Sequence, residues 1–167
     1  AMMAAETGDE QAGEDPTTIE LQERVAQLLG KEEALFVPSG TMCNQISIAI
    51  QCQAGDEIIA DKTAHIINFE AGAAAVIARA MIRPLEGQRG QFSLDQAREA
   101  IRAGFRHAPS SKMIAVEQTA NLGGGSIWPI HILKSLHELS TEHNLIMHMD
   151  GARLMNAVIA SGVSAAE

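Results

Sequence analysis

Tyrosine is absent, tryptophan occurs once, and aromatic residues make up only 3% of the 167-residue chain. That leaves little of the stacking surface that single-stranded nucleic acids require. No run of lysine or arginine occurs, and the formal net charge is −9. Both features argue against a nucleic-acid partner and against polybasic contact with a membrane. No apolar run approaches the roughly 20 residues of a membrane span. The opening stretch, Ala1 to Gly13, is acidic and lacks the basic start of a secretory signal. Cysteine is scarce. Cys43 and Cys52 fall within one predicted helix, which disfavours a disulfide and predicts buried thiols in a reducing cytoplasm. What remains is 46% hydrophobic and 20% charged, enough for a folded domain with a substantial core.

Strands and helices alternate along the chain. Residues 1–16 read as a small, acidic lead-in, and 17–167 as the folded part. Thr17 to Glu20 has capping-box spacing, and Leu21, Val25, Leu28 and Leu29 form one helical face that Gly30 ends. Short apolar runs predict strands at Ala34–Val37, Glu57–Asp61, Met81–Pro84, Met113–Val116 and Leu145–Asp150. Helical periodicity predicts helices over Met42–Gln53, Ser93–Gly104, Pro129–His143 and Ala152–Ser161, and a run of small residues before Ala80 suits a helix packed closely on a sheet. Such alternation implies an α/β fold with a mainly parallel sheet.

Three strand ends carry polar residues. Ser39-Gly40-Thr41 links a strand to a helix start, where free N–H groups and the helix dipole favour an anion; taken alone it is also an ordinary capped turn. It is neither a Walker loop nor the dinucleotide fingerprint. His65 follows another strand, a position where a lone histidine usually caps or faces solvent. Asp150 ends the last strand, at the edge where open α/β sheets bind ligands, and by itself suggests an ion pair with Arg153. No metal is expected. His131, His137 and His143 recur every six residues, a step of about 600° on a helix, so they cannot converge. His148 and Asp150 share a strand face without a third ligand at metal spacing. In a parallel sheet the three strand ends lie along one edge. An anion site, a ring that can stack and a carboxylate able to hold a protonated ring nitrogen together describe a site for pyridoxal 5'-phosphate.

These stretches resemble the low-specificity L-threonine aldolases, in the β-eliminating-lyase branch of fold-type I pyridoxal-phosphate enzymes. The matching residues are Gly13–Thr17, Leu35–Met42, His65–Gly72, Glu117–Thr119 and His148–Arg153, in family order over nearly the whole chain. The resemblance implies the large domain of the aspartate-aminotransferase-like fold, here incomplete, with the small C-terminal domain absent. It implies cleavage of a β-hydroxy-α-amino acid to glycine and an aldehyde. Ser39, Gly40 and Thr41 would hold the phosphate, His65 the ring and Asp150 its nitrogen. Arg153 would contact the cofactor's phenolic oxygen or the substrate carboxylate, and Glu70 would lie on the substrate side. His65, Glu70 and Asp150 are the catalytic candidates. The family also implies a homo-oligomer acting on a small amino acid, and the cysteine usage predicts a cytoplasmic setting.

The departures are specific. Family members carry their Schiff-base lysine beyond the Asp-Gly-Ala-Arg motif, whereas the four lysines here, Lys31, Lys62, Lys112 and Lys134, all precede Asp150. Ala12 stands where the family has a tyrosine. Ala120 stands where a histidine near the substrate hydroxyl is common, which leaves open β-elimination on another amino acid. The missing lysine equally leaves open a noncatalytic fragment or interaction domain.

Overall fold

The computed structural model describes residues 2–102 and 104–167. Among the described residues, four strands form one wholly parallel sheet in the order β2-β1-β3-β4: β1 (Asp56–Asp61), β2 (Met81–Leu85), β3 (Ser110–Glu117) and β4 (Ile146–Asp150). Side chains alternate faces along a strand, so the core divides in two. Ile58, Ala60, Met113 and Ala115 meet Ile48 of α2 (Gly40–Gln51) and the small residues Ala74 and Ala78 of a π-helical turn (Ala74–Ala78). Ile59, Ile114 and Val116 meet Ala97 of α4 (Leu94–Ala100), together with Leu136 and Leu139 of α5 (Ile130–Glu142). The three-layer arrangement is the expected α/β architecture.

The strand order places a topological switch point between β1 and β3. The segment leaving β1 packs on the α2 face, and the helices on either side of β3 pack on the other. Chains diverging to opposite faces leave a crevice at the C-terminal strand ends, where ligands of such sheets bind. His65, opening the short α3 (His65–Asn68), and Glu117, ending β3, flank this crevice; Asp150 ends the adjoining β4. The last helix, α6 (Leu154–Ser161), follows Asp150 after one turn.

Several local expectations need correction. Ala34–Val37 forms no strand. It has no partner strand, Leu35 and Phe36 are exposed, and the Phe36 N–H donates instead to Gln22 Oε1 at 2.8 Å. Helix α1 (Pro16–Leu29) begins before Thr17: Asp15 is its cap, accepting from Thr18 N at 2.7 Å, and Pro16 takes the first helical position. Pro129 caps α5 from outside the helix rather than opening it. Helix α4 ends at Ala100, short of the expected Gly104. Cys43 is exposed rather than buried; Cys52 is buried, and both are free. Among the described residues, no helix is long and apolar enough to cross a membrane.

Candidate functional site

Helix α2 begins where Ser39 accepts a hydrogen bond from Met42 N at 3.2 Å, an N-cap that fixes the helix start beside Gly40 and Thr41. A Cβ added at Gly40 would meet nothing within 4 Å, so this turn opens onto free space. One turn further along, α2 presents Asn44, which is buried. Its amide nitrogen donates to two carboxylates at once, Asp150 Oδ2 and Glu70 Oε1, each at 2.8 Å. Asp150 Oδ1 also accepts from Ala152 N at 3.1 Å. The anticipated Asp150–Arg153 ion pair does not form: Asn44 and the Ala152 backbone supply the donors that a strand-end carboxylate needs.

His65 joins the same group. Its Nδ1 lies 3.0 Å from Glu70 Oε1, and a third of its side chain stays exposed. The His65 backbone N–H donates to Glu117 Oε2 at 3.2 Å, and Asn121 N donates to Glu117 Oε1 at 3.1 Å. Burial pushes the Glu117 carboxyl above its usual range, against those two N–H groups, which lower it; repulsion from Asp150 raises it further. Behind Asn44 stands His148, whose Nε2 meets Asn44 Oδ1 at 3.0 Å and whose Nδ1 meets Ser47 Oγ at 3.1 Å. Burial pulls the His148 imidazole below its usual value, despite the opposing pull of Asp150 and Glu70.

Ligand atoms of His65, Glu70 and Asp150 lie within 4.8 Å of one another, a three-residue cluster that spacing along the chain gave no sign of. The Asn44 amide already bridges its two carboxylates, with one N–H for each. Arg153 is set apart. Its backbone N–H bonds to Gln118 O at 3.3 Å, and the residue lines an open cleft of about 550 Å³ with Thr119, Asn121, Gly124, Gly125 and Asn156. Thus Asp150, Glu70 and His65 converge directly, α2 joins them to the Ser39–Thr41 turn through Asn44, and Arg153 faces the neighbouring cleft.

Asn44, Glu117, His148 and Ser47 were not among the predicted site residues. Glu117 carried the same signal as Asp150, an acid ending an apolar strand. Thr41, Asn44 and Ser47 recur every three residues, one polar stripe on a largely apolar helix.

This donor set fits pyridoxal phosphate in two respects: a capped helix start opening on free space for the phosphate, and a hydrogen-bonded carboxylate for the ring nitrogen. The covalent tether is not matched. Lys62 pairs with Glu86 at 3.3 Å and Lys134 with Glu167 at 2.7 Å, both exposed. Lys31 is exposed beyond α1, and Lys112 lies near the N-terminal end of β3, away from the crevice.

The chain is 40% identical over 163 residues to the low specificity L-threonine aldolase of Escherichia coli, covering 97% of this chain and 48% of that protein. Across the first curated relatives it spans about half their length, from 40% to 48%. In structure it is similar to a threonine aldolase of Leishmania major, with a TM-score of 0.82 at 22% identity over 92% of this chain and 46% of the other. An aromatic aminotransferase of Pyrococcus horikoshii gives a TM-score of 0.64 at 11% identity, covering 79% and 35%, and shares the fold. The family model described as beta-eliminating lyase matches residues 1–167. From Ala1 to Glu167, then, this chain belongs to the β-eliminating lyases, the enzyme family that includes the threonine aldolases.

Proposed function

We propose that the intact protein is a pyridoxal-phosphate-dependent carbon–carbon lyase that cleaves a threonine-like β-hydroxy-α-amino acid to glycine and an aldehyde. The observation that carries this reading is the Asp150 carboxylate at the C-terminal end of β4, bonded to Asn44 at 2.8 Å on the helix whose start presents Ser39, Gly40 and Thr41. When bound, the cofactor supplies an electron sink for the pair released as the Cα–Cβ bond breaks.

The chain's own residues divide the remaining work. Ser39, Gly40 and Thr41 bind the phosphate through helix-start N–H groups and hydroxyls. Asp150 holds the proton on the ring nitrogen. His65 covers the ring. In the neutral tautomer its Nδ1–H donates to Glu70, so Nε2 is the free acceptor, able to take the substrate hydroxyl proton. Arg153 binds the phenolic oxygen or the substrate carboxylate, bidentately in the latter case. A cytoplasmic homo-oligomer fits this reading, since Leu35, Phe36, Val76 and Ile159 are exposed and would gain cover in a larger assembly.

A second reaction is favoured by Ala120, which is buried and apolar and supplies no acid or base to the adjoining loop. β-Elimination on another amino acid would instead break the bond to its β-substituent, expelled as water from serine or sulfide from cysteine, and hydrolysis of the unsaturated amine left behind would give ammonia and a keto acid. The deciding experiment incubates the intact protein and cofactor with L-threonine, L-serine and L-cysteine. Glycine with aldehyde supports the carbon–carbon lyase. Ammonia with keto acid replaces it with elimination, and no product from any substrate favours a noncatalytic interaction domain.

A further inference from the structure

Asn44 stands at the centre of a hydrogen-bond chain that the reaction above leaves unused. Gln51 Nε2 donates to Ser47 Oγ at 3.3 Å, Ser47 Oγ meets His148 Nδ1 at 3.1 Å, and His148 Nε2 meets Asn44 Oδ1 at 3.0 Å. The Asn44 amide then donates to Asp150 and Glu70. A carboxamide oxygen can only accept, so the neutral imidazole carries its proton on Nε2 and at Nδ1 accepts a hydrogen bond from the Ser47 hydroxyl. All donors then point the same way, from Gln51 toward the two carboxylates. Reversing the amide would aim its oxygen at both carboxylates and leave them without a shared donor.

We propose that Asn44 is a positioning residue, a carboxamide clamp that holds the Asp150 and Glu70 carboxylates in fixed relation, with His148 setting which end of the clamp faces them. Glu70 is buried, and its nearest ligand atom lies within 4.8 Å of those of Asp150 and His65. Two carboxylates so close repel, and a donor shared between them offsets that repulsion and fixes their relative orientation. The clamp aims the Asp150 carboxylate at the place of a ring nitrogen while Glu70 stays an acceptor for His65. This role rests on the reading of Asp150 as the partner of a protonated ring.

Two measurements on the intact protein test it. The first needs no cofactor: the ¹⁵N shifts of His148 in wild type and in Asn44→Asp. The charged groups facing His148 are Asp150 and Glu70, with Asn44 and Ser47 its neutral partners. Wild type is expected to show the Nε2–H tautomer at neutral pH. In the Asp variant a third carboxylate faces Nε2, and the ring is expected to take a second proton. Identical spectra would overturn the clamp.

The second compares affinity for pyridoxal phosphate with that for its deaza analogue, whose ring carries CH in place of the nitrogen. Wild type is expected to prefer the pyridine ring by about tenfold or more, the scale of one charged hydrogen bond. Asn44→Asp and His148→Leu should lose most of that preference, and His148→Gln, which keeps a donor toward Asn44, should restore it. A preference unchanged in Asn44→Asp contradicts the proposal. If wild type binds neither ring, the cofactor reading falls, and the histidine spectra alone decide the clamp.

Discussion

Glu117 and Asp150 are partners in register at the ends of neighbouring parallel strands, yet their carboxylates have different surroundings. Asp150 accepts from the Asn44 side chain and the Ala152 backbone. Glu117 is more deeply buried, and among the described residues its donors are two backbone N–H groups, from His65 and Asn121. Burial dominates, so its carboxyl binds a proton more tightly than in the unfolded chain.

A stability profile with a definite sign follows. A raised folded pKa contributes stability in full below the unfolded value, here 4.5, and loses it as pH rises through the folded value. Glu117→Gln keeps an acceptor for an N–H but cannot titrate. Its melting temperature is expected to fall less steeply than that of wild type between pH 4.5 and neutrality. Equal slopes in a thermal-melt series across that range would refute the assignment.

Ser39 separates a structural role from a binding one. Aspartate is as good an N-cap as serine, and alanine in its place costs about 1 kcal/mol. Ser39→Asp should therefore melt near wild type while losing affinity for pyridoxal phosphate, because it sets a negative charge where the phosphate is expected. Ser39→Ala should lose stability and retain more of the affinity. Fluorescence titration alongside thermal melts distinguishes them, and an Asp variant that binds as tightly as wild type would place the phosphate elsewhere.

Strands β1 to β4 were legible because short apolar runs flanked by polar residues have few other uses, and the three-layer fold follows from their alternation with helices. Ala34–Val37 has the same composition, but a strand requires a neighbour, and pairing is not encoded within four residues. His65 and Asp150 were legible from their places at strand ends. Asn44 was not. A single asparagine in an apolar helix does not announce its partners, and Asp150 lies 106 residues further along the chain. Glu117 carried a readable signal, but its raised pKa depends on burial, which only the assembled crevice supplies.

The loop that carries Gly124 and Gly125 to the Arg153 cleft makes a close backbone approach at its neighbour Gly123. A Cβ at Gly123 would overlap the Arg89 carbonyl, which Ser126 Oγ already holds by a hydrogen bond. Neither backbone segment has a flexible end that could yield. Gly123→Ala is expected to cost about 1–3 kcal/mol, the range of overpacking changes. In urea denaturation it should lower the midpoint without altering the slope. A wild-type midpoint would mean that the two loops are not locked together.

Arg153 offers the clearest separation of binding from stability. It is exposed, and its guanidinium makes no ion pair among the described residues, so truncation removes no buried partner. Arg153→Ala is expected to leave the melting temperature of the intact protein unchanged while lowering kcat/KM for the amino acid about 10- to 100-fold, the scale of lost charged hydrogen bonds. Lysine restores the charge without the planar fork that matches a carboxylate, so Arg153→Lys should recover only part of the loss. Full recovery by lysine would reduce the role of Arg153 to general charge. A fall in melting temperature that tracks the fall in kcat/KM would make it a structural residue of the β4–α6 turn.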